Sequence, residues 1–177
     1  MIANCFIQAR SNSTRLPGKI MMPINGIPLA IRLYRRLSEA ANIRRTVILM
    51  PHGDPALEQV SDFANVFLGE MEIAQRFIGA LEQNPCNGFV RVCADSPFLT
   101  PDLVDLAAEA SLKRPYTLVS GGRSGLQCEG FRTQDFRDAE PCMTGEEREH
   151  LGLFFQRGHS LAIDTAEDYE RLKDIPL

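Results

Sequence analysis

Hydrophobic and polar positions alternate along the chain in a pattern that predicts strands and helices in turn. Short apolar runs predict strands at Ile2–Gln8, Arg44–Met50, Asn65–Leu68, Phe89–Ala94, Tyr116–Ser120, Gln127–Phe131 and His159–Ile163. Apolar residues at helical spacing predict helices at Pro28–Ala41, Pro55–Ala64, Glu70–Gln83, Thr133–Glu140 and Gly145–Arg157, and further helices opening at Thr100 and Thr165. Strands that alternate with helices indicate an α/β fold with a mostly parallel central sheet flanked by helices.

Polar clusters follow four of the predicted strands. They are Gln8–Arg10, Pro51–Asp54, Asp95–Pro97 and Asp164. Ligands of open α/β sheets bind beyond the carboxyl ends of the strands, so these clusters are expected on one rim of the sheet. The coincidence of four clusters on one rim is stronger evidence for a site than any single motif.

Composition and charge narrow the class of protein. The 177 residues carry a net charge of −4, which favours one soluble domain over residues 1–177 and does not favour binding to nucleic acid or to an anionic membrane. The five cysteines are odd in number and lack metal-ligand spacing, so reduced thiols and a cytoplasmic location are expected. No apolar stretch is long enough to span a bilayer, and residues 1–4 lack the basic start of a signal peptide.

The stretch "FIQARSNSTRLPGK", residues 6–19, leads from the first strand into a basic loop. Its cations are Arg10, Arg15 and Lys19, and its hydroxyls are those of Ser11, Ser13 and Thr14. Guanidinium, ammonium, hydroxyl and backbone N–H groups together satisfy phosphate oxygens, and Gly18 allows close approach of the backbone. The loop matches neither the P-loop nor the dinucleotide-binding glycine pattern. A solvated polar loop without a ligand is the alternative.

Two carboxylates follow strands and are candidates for a metal site. Asp95 comes after "FVRVCA" and Asp164 comes after "SLAI". A carboxylate beside a phosphate-binding loop is a natural ligand of Mg²⁺. The alternative is that Asp95 only stabilises a turn and that Asp164 only caps the final helix.

Several segments together resemble the cytidylyltransferases that activate acidic sugars, the acylneuraminate and 3-deoxy-manno-octulosonate cytidylyltransferases. The resemblance is greatest to the branch named for spore coat polysaccharide biosynthesis protein F. It covers most of the chain and is carried, in order, by "IQARSNSTRLPGK", "NGIPLAIRLYRRL", "GEMEIAQRFIGALE", "FVRVCADSPFLTPDLVDL", "EREHLGLFF" and "LAIDTAEDYERLKDI".

The resemblance implies a Rossmann-like nucleotidyltransferase domain, the nucleotide-diphospho-sugar transferase fold. It implies that a sugar hydroxyl attacks the α-phosphate of CTP, with release of pyrophosphate, and that Mg²⁺ is held by Asp95 and Asp164. The product would be a CMP-activated acidic sugar for a surface polysaccharide. With the loop, the resemblance gives as nucleotide-binding residues Gln8, Ala9, Arg10, Ser11, Ser13, Arg15, Lys19 and Asp95. Arg10, Lys19 and Asp95 are the expected catalytic residues.

The chain departs from the family between the metal strand and the closing segment. Only Tyr116–Thr144 fills a region that shapes the sugar pocket and the dimer contact in longer members, so the dimer contact is expected to be absent or altered, which leaves a monomer or another contact surface open. His52 is a candidate for contact with substrate or phosphate, with simple solvation as the alternative, and His150 has either a site role or a packing role. Arg123 and Arg132 are weaker candidates for pairing with a sugar carboxylate.

Two other functions are compatible with the same fold. A glycosyltransferase that uses a nucleotide sugar would have this architecture, but such enzymes usually hold their metal with a D-x-D motif, which this chain lacks. A non-catalytic nucleotide-binding protein would also explain the shortened pocket region.

Overall fold

The computed structural model describes residues 2–123 and 125–157. Its centre is a six-stranded sheet in the order β5-β4-β1-β6-β8-β7, and a separate two-stranded hairpin, β2-β3, follows the basic loop. The strands are β1 (Ala3–Gln8), β2 (Pro23–Ile24), β3 (Ile27–Pro28), β4 (Ile43–Pro51), β5 (Val66–Gly69), β6 (Gly88–Cys93), β7 (Tyr116–Ser120) and β8 (Gln127–Arg132).

Helices cover both faces of this sheet. They are α1 (Leu29–Leu37), α2 (Leu57–Ser61), α3 (Ile73–Gln83), α4 (Pro101–Ser111), α5 (Thr133–Ala139) and α6 (Gly152–Gln156), with short 3-10 turns at Lys19–Met21, Glu140–Cys142 and Gly145–Arg148. Buried side chains of α1, α2 and α4 pack on one face, and those of α3, α5 and α6 pack on the other. None of the helices in the described part of the chain has the length and hydropathy that crossing a bilayer requires.

The sequence of β1 explains its place in the middle of the sheet. Phe6 points into the core under α3, whereas Cys5 and Ile7 point into the core under α1 and α4. All three side chains are fully buried. A strand covered on both faces reads as a continuous apolar run, which is why its prediction from sequence is confirmed.

The strand order places a crevice beside the end of β1. The chain moves from β1 to β4 and β5 on one side and then returns to β6 on the other side, with all of these neighbours parallel. Such a reversal of strand order opens a crevice at the carboxyl ends of the two strands that diverge. Here these ends are Gln8 and Cys93, which pair in register.

The remaining two strands run against this direction. β8 is antiparallel to β6, and β7 is antiparallel to β8. The first residues of β8 therefore lie on the same rim as the last residues of β1 and β6. The mostly parallel sheet is confirmed, and its reversed strand brings Gln127 and Glu129 toward the crevice.

The sequence analysis missed the β2-β3 hairpin and merged a 3-10 turn with a separate short helix. Asn25 and Gly26 form the hairpin turn with φ angles of 52° and 77°, and Asn-Gly is the usual signal for such a turn. The helix predicted at Gly145–Arg157 is wrong as one element: a 3-10 turn capped by Thr144 and Glu147 is followed by the separate α6. Thr100 is the residue before α4, but its side chain makes no cap hydrogen bond. The predicted strand His159–Ile163 and the helix after Thr165 lie outside the described residues.

Gly130, in the middle of β8, lets α4 approach the sheet closely. A β-carbon at this position would lie 2.5 Å from the carbonyl oxygen of Ala107 in α4. Because that oxygen belongs to the helix backbone, a side-chain rotation cannot relieve the clash. We expect Gly130→Ala to lower the free energy of unfolding by about 1–3 kcal/mol, as overpacked cores do. Urea denaturation measures it, and an unchanged midpoint would show that α4 shifts without cost.

Candidate active site

A buried carboxylate anchors the basic loop to the end of β4. Asp54, with 6% of its surface exposed, accepts the Ser11 N–H at 2.8 Å and the Ser11 hydroxyl at 2.6 Å. It also accepts the N–H of Ala56 at 3.0 Å. Hydrogen bonds to ionised groups are stronger than neutral ones, so three donors stabilise this carboxylate away from water. Ser11 is thereby fixed three residues after β1 ends.

Ser11 also closes the loop on itself. Its carbonyl oxygen accepts the N–H of Ser13 at 2.9 Å and the N–H of Gly18 at 2.8 Å. Gly18 has a φ of 70°, a left-handed conformation that favours glycine, and it starts the 3-10 turn at Lys19. The left-handed turn directs the chain back over the sheet, so that Lys19 faces the end of β6.

A polar cavity of about 170 Å³ lies between the loop and the ends of β1 and β6. Of the predicted nucleotide-binding residues, those that line it are Gln8, Arg10, Ser13, Arg15, Lys19 and Asp95. Ala9 does not, because it is buried and its N–H bonds to the carbonyl of Leu49 at 3.0 Å. Ser11 does not line the cavity either, since its polar groups hold the loop. We call this space the loop cavity.

Lys19 and Asp95 form an ion pair across the loop cavity. The Asp95 side chain is 44% exposed and the Lys19 side chain is 25% exposed, so solvent screens the pair and its contribution to stability is small. The ammonium group of Lys19 stands where a metal cation would meet the carboxylate. The described residues contain no group of three or more potential metal ligands, and Asp164 lies outside them.

A further buried cation lies on this rim, beyond β5. Arg76, 1% exposed, donates to the carbonyl oxygens of Glu70 at 2.7 Å and Met71 at 2.5 Å, on the rim beyond β5. Burial, and next the nearby charge of Arg10, lower the pKa of the Arg76 guanidinium. The like charges of Arg76 and Arg10 thus repel each other.

A second cavity, of about 660 Å³, adjoins the first and shares Cys93 and Asp95 with it. We call it the outer cavity. Arg91 lies on its floor, 7% exposed, and donates to Glu129 Oε2 at 2.5 Å, to the carbonyl of Glu149 at 3.3 Å and to Gln8 Oε1 at 2.9 Å. The guanidinium is therefore neutralised by Glu129 and held in three directions.

Glu129 is part of a longer chain of hydrogen bonds on the wall of the outer cavity. Its Oε1 accepts a hydrogen bond from the hydroxyl of Tyr116 at 3.0 Å. The hydroxyl oxygen of Tyr116 in turn accepts a hydrogen bond from the amide NH₂ of Gln156 at 2.7 Å. Burial, and next the charge of Glu129, raise the pKa of Tyr116, so the phenol stays a donor. Gly152 lets α6 come this close, because a β-carbon there would collide with Glu129 and Tyr116.

Sequence reasoning missed Arg91 as a site residue, and it placed Asp54 within a rim cluster without its role in holding the loop. A charged residue within the apolar run "FVRVCA" must have buried partners, which is the signal that could have identified Arg91. His150 lines the outer cavity. His52 is exposed and lines neither cavity described here. Arg132 was a wrong candidate, since it pairs with Asp135 at the opposite rim, where β8 ends.

Comparisons with known proteins bear on the family and the fold of this chain. A family model for cytidylyltransferases matches residues 4–158. The spore coat polysaccharide biosynthesis protein SpsF of Bacillus subtilis is 26% identical over 94% of this chain and 83% of its own length. A 3-deoxy-manno-octulosonate cytidylyltransferase of Chlorobium chlorochromatii is 30% identical over 62% of this chain and 45% of its own length.

Solved structures share the fold. A cytidylyltransferase from Leptospira borgpetersenii superimposes with a TM-score of 0.78 at 24% identity, covering 98% of this chain and 85% of that one. A CMP:2-keto-3-deoxy-manno-octonic acid synthetase complexed with CTP gives a TM-score of 0.67 at 18% identity, covering 89% and 86%. Rv0371c of Mycobacterium tuberculosis, solved as a manganese complex, gives 0.65 at 15%, covering 99% and 100%. The predicted nucleotidyltransferase fold is confirmed.

The anchor between Asp54 and Ser11 yields a prediction. Asp54→Asn replaces one acceptor oxygen by an NH₂ group. This group faces donors of Ser11 and Ala56, so at least one buried hydrogen bond is lost. We expect the free energy of unfolding to fall by about 1–3 kcal/mol. We also expect the affinity for CTP to fall, because the loop is no longer held. Urea denaturation and calorimetric titration with CTP measure the two effects.

Ser11→Ala is the matched variant, since it removes only the hydroxyl bond and leaves the N–H bond to Asp54. It should show both effects to a smaller degree. Full stability together with full CTP affinity in Asp54→Asn would show that the loop does not depend on this anchor.

Proposed function

The chain belongs to the cytidylyltransferase family, and we propose that it transfers CMP from CTP to a hydroxyl group of a small acidic sugar. The observation that carries the proposal is the adjacency of the two cavities. The loop cavity is basic and polar, which suits the phosphates of a nucleotide. The outer cavity is larger, and the two meet at Cys93 and Asp95. A hydroxyl in one cavity would therefore face a phosphate in the other.

The loop residues bind and orient the triphosphate in this proposal. Arg10, Arg15 and Lys19 donate to phosphate oxygens, and Ser13 adds a hydroxyl donor. Phosphoryl and nucleotidyl transfer need little covalent chemistry from the protein, so correct placement and stabilisation of developing negative charge are its main contributions. The anchored loop holds its donors in place before the nucleotide arrives, which lowers the cost of reorganisation.

The residues of the loop cavity fit a divalent cation that arrives with the nucleotide. Asp95 offers a half-exposed carboxylate that already attracts a cation, Lys19. Mg²⁺ uses few protein carboxylates and completes its shell with water and phosphate oxygens. Asp95 would hold the metal, together with Asp164 as predicted from the sequence. A bound metal would neutralise phosphate charge during attack on the α-phosphate.

The relatives suggest the acceptor and its use. Their names include a spore coat polysaccharide biosynthesis protein and 3-deoxy-manno-octulosonate cytidylyltransferases. By analogy, this chain activates an acidic sugar for a surface polysaccharide. The absent or altered dimer contact stays a prediction.

Turnover with purified protein tests the proposal. The protein is incubated with CTP, Mg²⁺ and a panel of acidic sugars that includes 3-deoxy-manno-octulosonate and N-acetylneuraminate, and pyrophosphate release is measured. Sugar-dependent release of pyrophosphate from CTP is the expected result. Transfer of sugar from a nucleotide sugar would indicate a glycosyltransferase, and CTP binding with no turnover would indicate a non-catalytic protein. Either outcome overturns the proposal.

The same assay tests the metal ligands through size-conserving variants. Asp95→Asn and Asp164→Asn should each abolish Mg²⁺-dependent turnover with little change in melting temperature. Asp62→Asn removes one charge from an exposed position at the end of α2 and is the control. Asn caps helices about as well as Asp, so an active Asp164→Asn enzyme would leave Asp164 with a capping role alone.

The ion pair between Lys19 and Asp95 predicts opposite effects on metal and on nucleotide. Lys19→Met frees the carboxylate, so Mn²⁺ should bind more tightly to the protein without nucleotide. The same variant loses a charge-assisted phosphate contact, so CTP affinity should fall about tenfold or more. Paramagnetic resonance of Mn²⁺ and calorimetry with CTP measure the two effects.

Arg15→Met is the matched control for Lys19→Met. Arg15 lines the same cavity but forms no ion pair with Asp95 in the described structure. It should weaken CTP binding without changing the affinity for Mn²⁺. Equal Mn²⁺ affinity in Lys19→Met and in the unchanged protein would contradict competition for Asp95.

A further inference from the structure

Arg91 connects the two cavities through a single hydrogen bond. Its guanidinium lies on the floor of the outer cavity, and its Nε donates to Gln8 Oε1 at 2.9 Å. Gln8 lines the loop cavity at the end of β1. One side chain on β6 therefore contacts a residue of each cavity.

This bond determines which end of the Gln8 amide faces the loop cavity. A guanidinium group has donors and no acceptor, so the amide oxygen must be the atom that faces Arg91. The NH₂ group of Gln8 is left on the other side, and it has no hydrogen-bond partner among residues 2–123 and 125–157. The loop cavity thus has an oriented donor at the base of its wall, beside Arg10.

Arg91 itself is held from the outer-cavity side. Glu129 and the carbonyl of Glu149 fix two further corners of its guanidinium, and Tyr116 and Gln156 continue the chain of hydrogen bonds through Glu129. An isolated arginine would rotate freely on a flexible stem. This arginine presents one fixed face to Gln8, so the orientation of the amide depends on the wall of the outer cavity.

We propose that the Gln8 amide donates a hydrogen bond to an oxygen atom of the bound nucleotide, and that Arg91 is the positioning residue that keeps this donor turned toward the nucleotide. The inference rests on the proposed function, in which a nucleotide occupies the loop cavity. It adds a link between the cavities: a change on the outer-cavity wall reaches the nucleotide through Glu129, Arg91 and Gln8.

The decisive variant is Gln8→Glu, measured by calorimetric titration with CTP and Mg²⁺. A glutamate keeps an oxygen for Arg91, so the melting temperature should stay level or rise. It replaces the donor by a charged acceptor that faces the phosphates, so CTP affinity should fall about tenfold or more. Gln8→Leu loses the donor without adding charge, so its CTP affinity should fall about two- to tenfold. Gln59→Glu, the same change on the exposed surface of α2, should bind CTP unchanged.

The role of Arg91 is tested in a background that leaves no unpaired charge. Arg91→Met alone would leave the partly buried Glu129 without its ion-pair partner and would risk misfolding, so it is combined with Glu129→Gln. In this folded background the Gln8 amide is no longer fixed. Gln8→Leu should therefore reduce CTP affinity by a smaller factor than it does in the unchanged protein, and such non-additivity would not arise from general loss of stability.

The outcomes separate the inference from the proposed function. If the unchanged protein binds no CTP in the presence of Mg²⁺, the proposed function is overturned, and the inference with it. If it binds CTP and Gln8→Glu binds equally well, the donor role of Gln8 is overturned while the proposed function stands. If Gln8→Leu has the same effect in both backgrounds, the positioning role of Arg91 is overturned.

Discussion

The three hydrogen bonds that converge on Asp54 are the constraint on which the candidate site depends. Arg10, Arg15 and Lys19 carry like charges within one loop, and like charges move apart unless the backbone that bears them is held. Asp54 holds that backbone at Ser11, three residues after β1 ends, and the carbonyl of Ser11 holds the far end of the loop at Gly18. The loop is fixed at its two ends, and its cationic side chains face the cavity.

The second fixed point is the ion pair between Arg91 and Glu129. It joins β6, which runs parallel to β1, to the reversed strand β8. Arg91 forms the floor of the outer cavity and Glu129 forms part of its wall. One ion pair therefore both holds these strands together and shapes the cavity. α6 closes this wall because Gly152 has no side chain to keep it away. These two fixed points lie on opposite sides of β1, and together they hold the walls of the loop cavity and the outer cavity in place.

The sequence predicted the elements better than it predicted the contacts among loops. β1 and β6 were predictable because strands buried on both faces read as apolar runs. The cations of the loop were predictable because they stand close together in the sequence. The bond between Ser11 and Asp54 spans 43 positions, so no local pattern marks it. The Asn25-Gly26 pair is a sequence signal for the hairpin, but the sequence analysis overlooked it. The sequence gives little sign of the break before α6, because apolar residues keep a helical spacing through the capped 3-10 turn.

The reversed direction of β8 has a consequence for how such a protein diversifies. The connection from β7 to β8 is a hairpin end, closed by the bond from the N–H of Gly121 to the carbonyl of Leu126 at 2.8 Å, and Gly125 within it lines the outer cavity. A hairpin end tolerates insertions and deletions, because the paired strands below it keep their register. This part of the outer-cavity wall is thus a replaceable module, which evolution or an engineer can lengthen or exchange while the loop cavity is inherited intact.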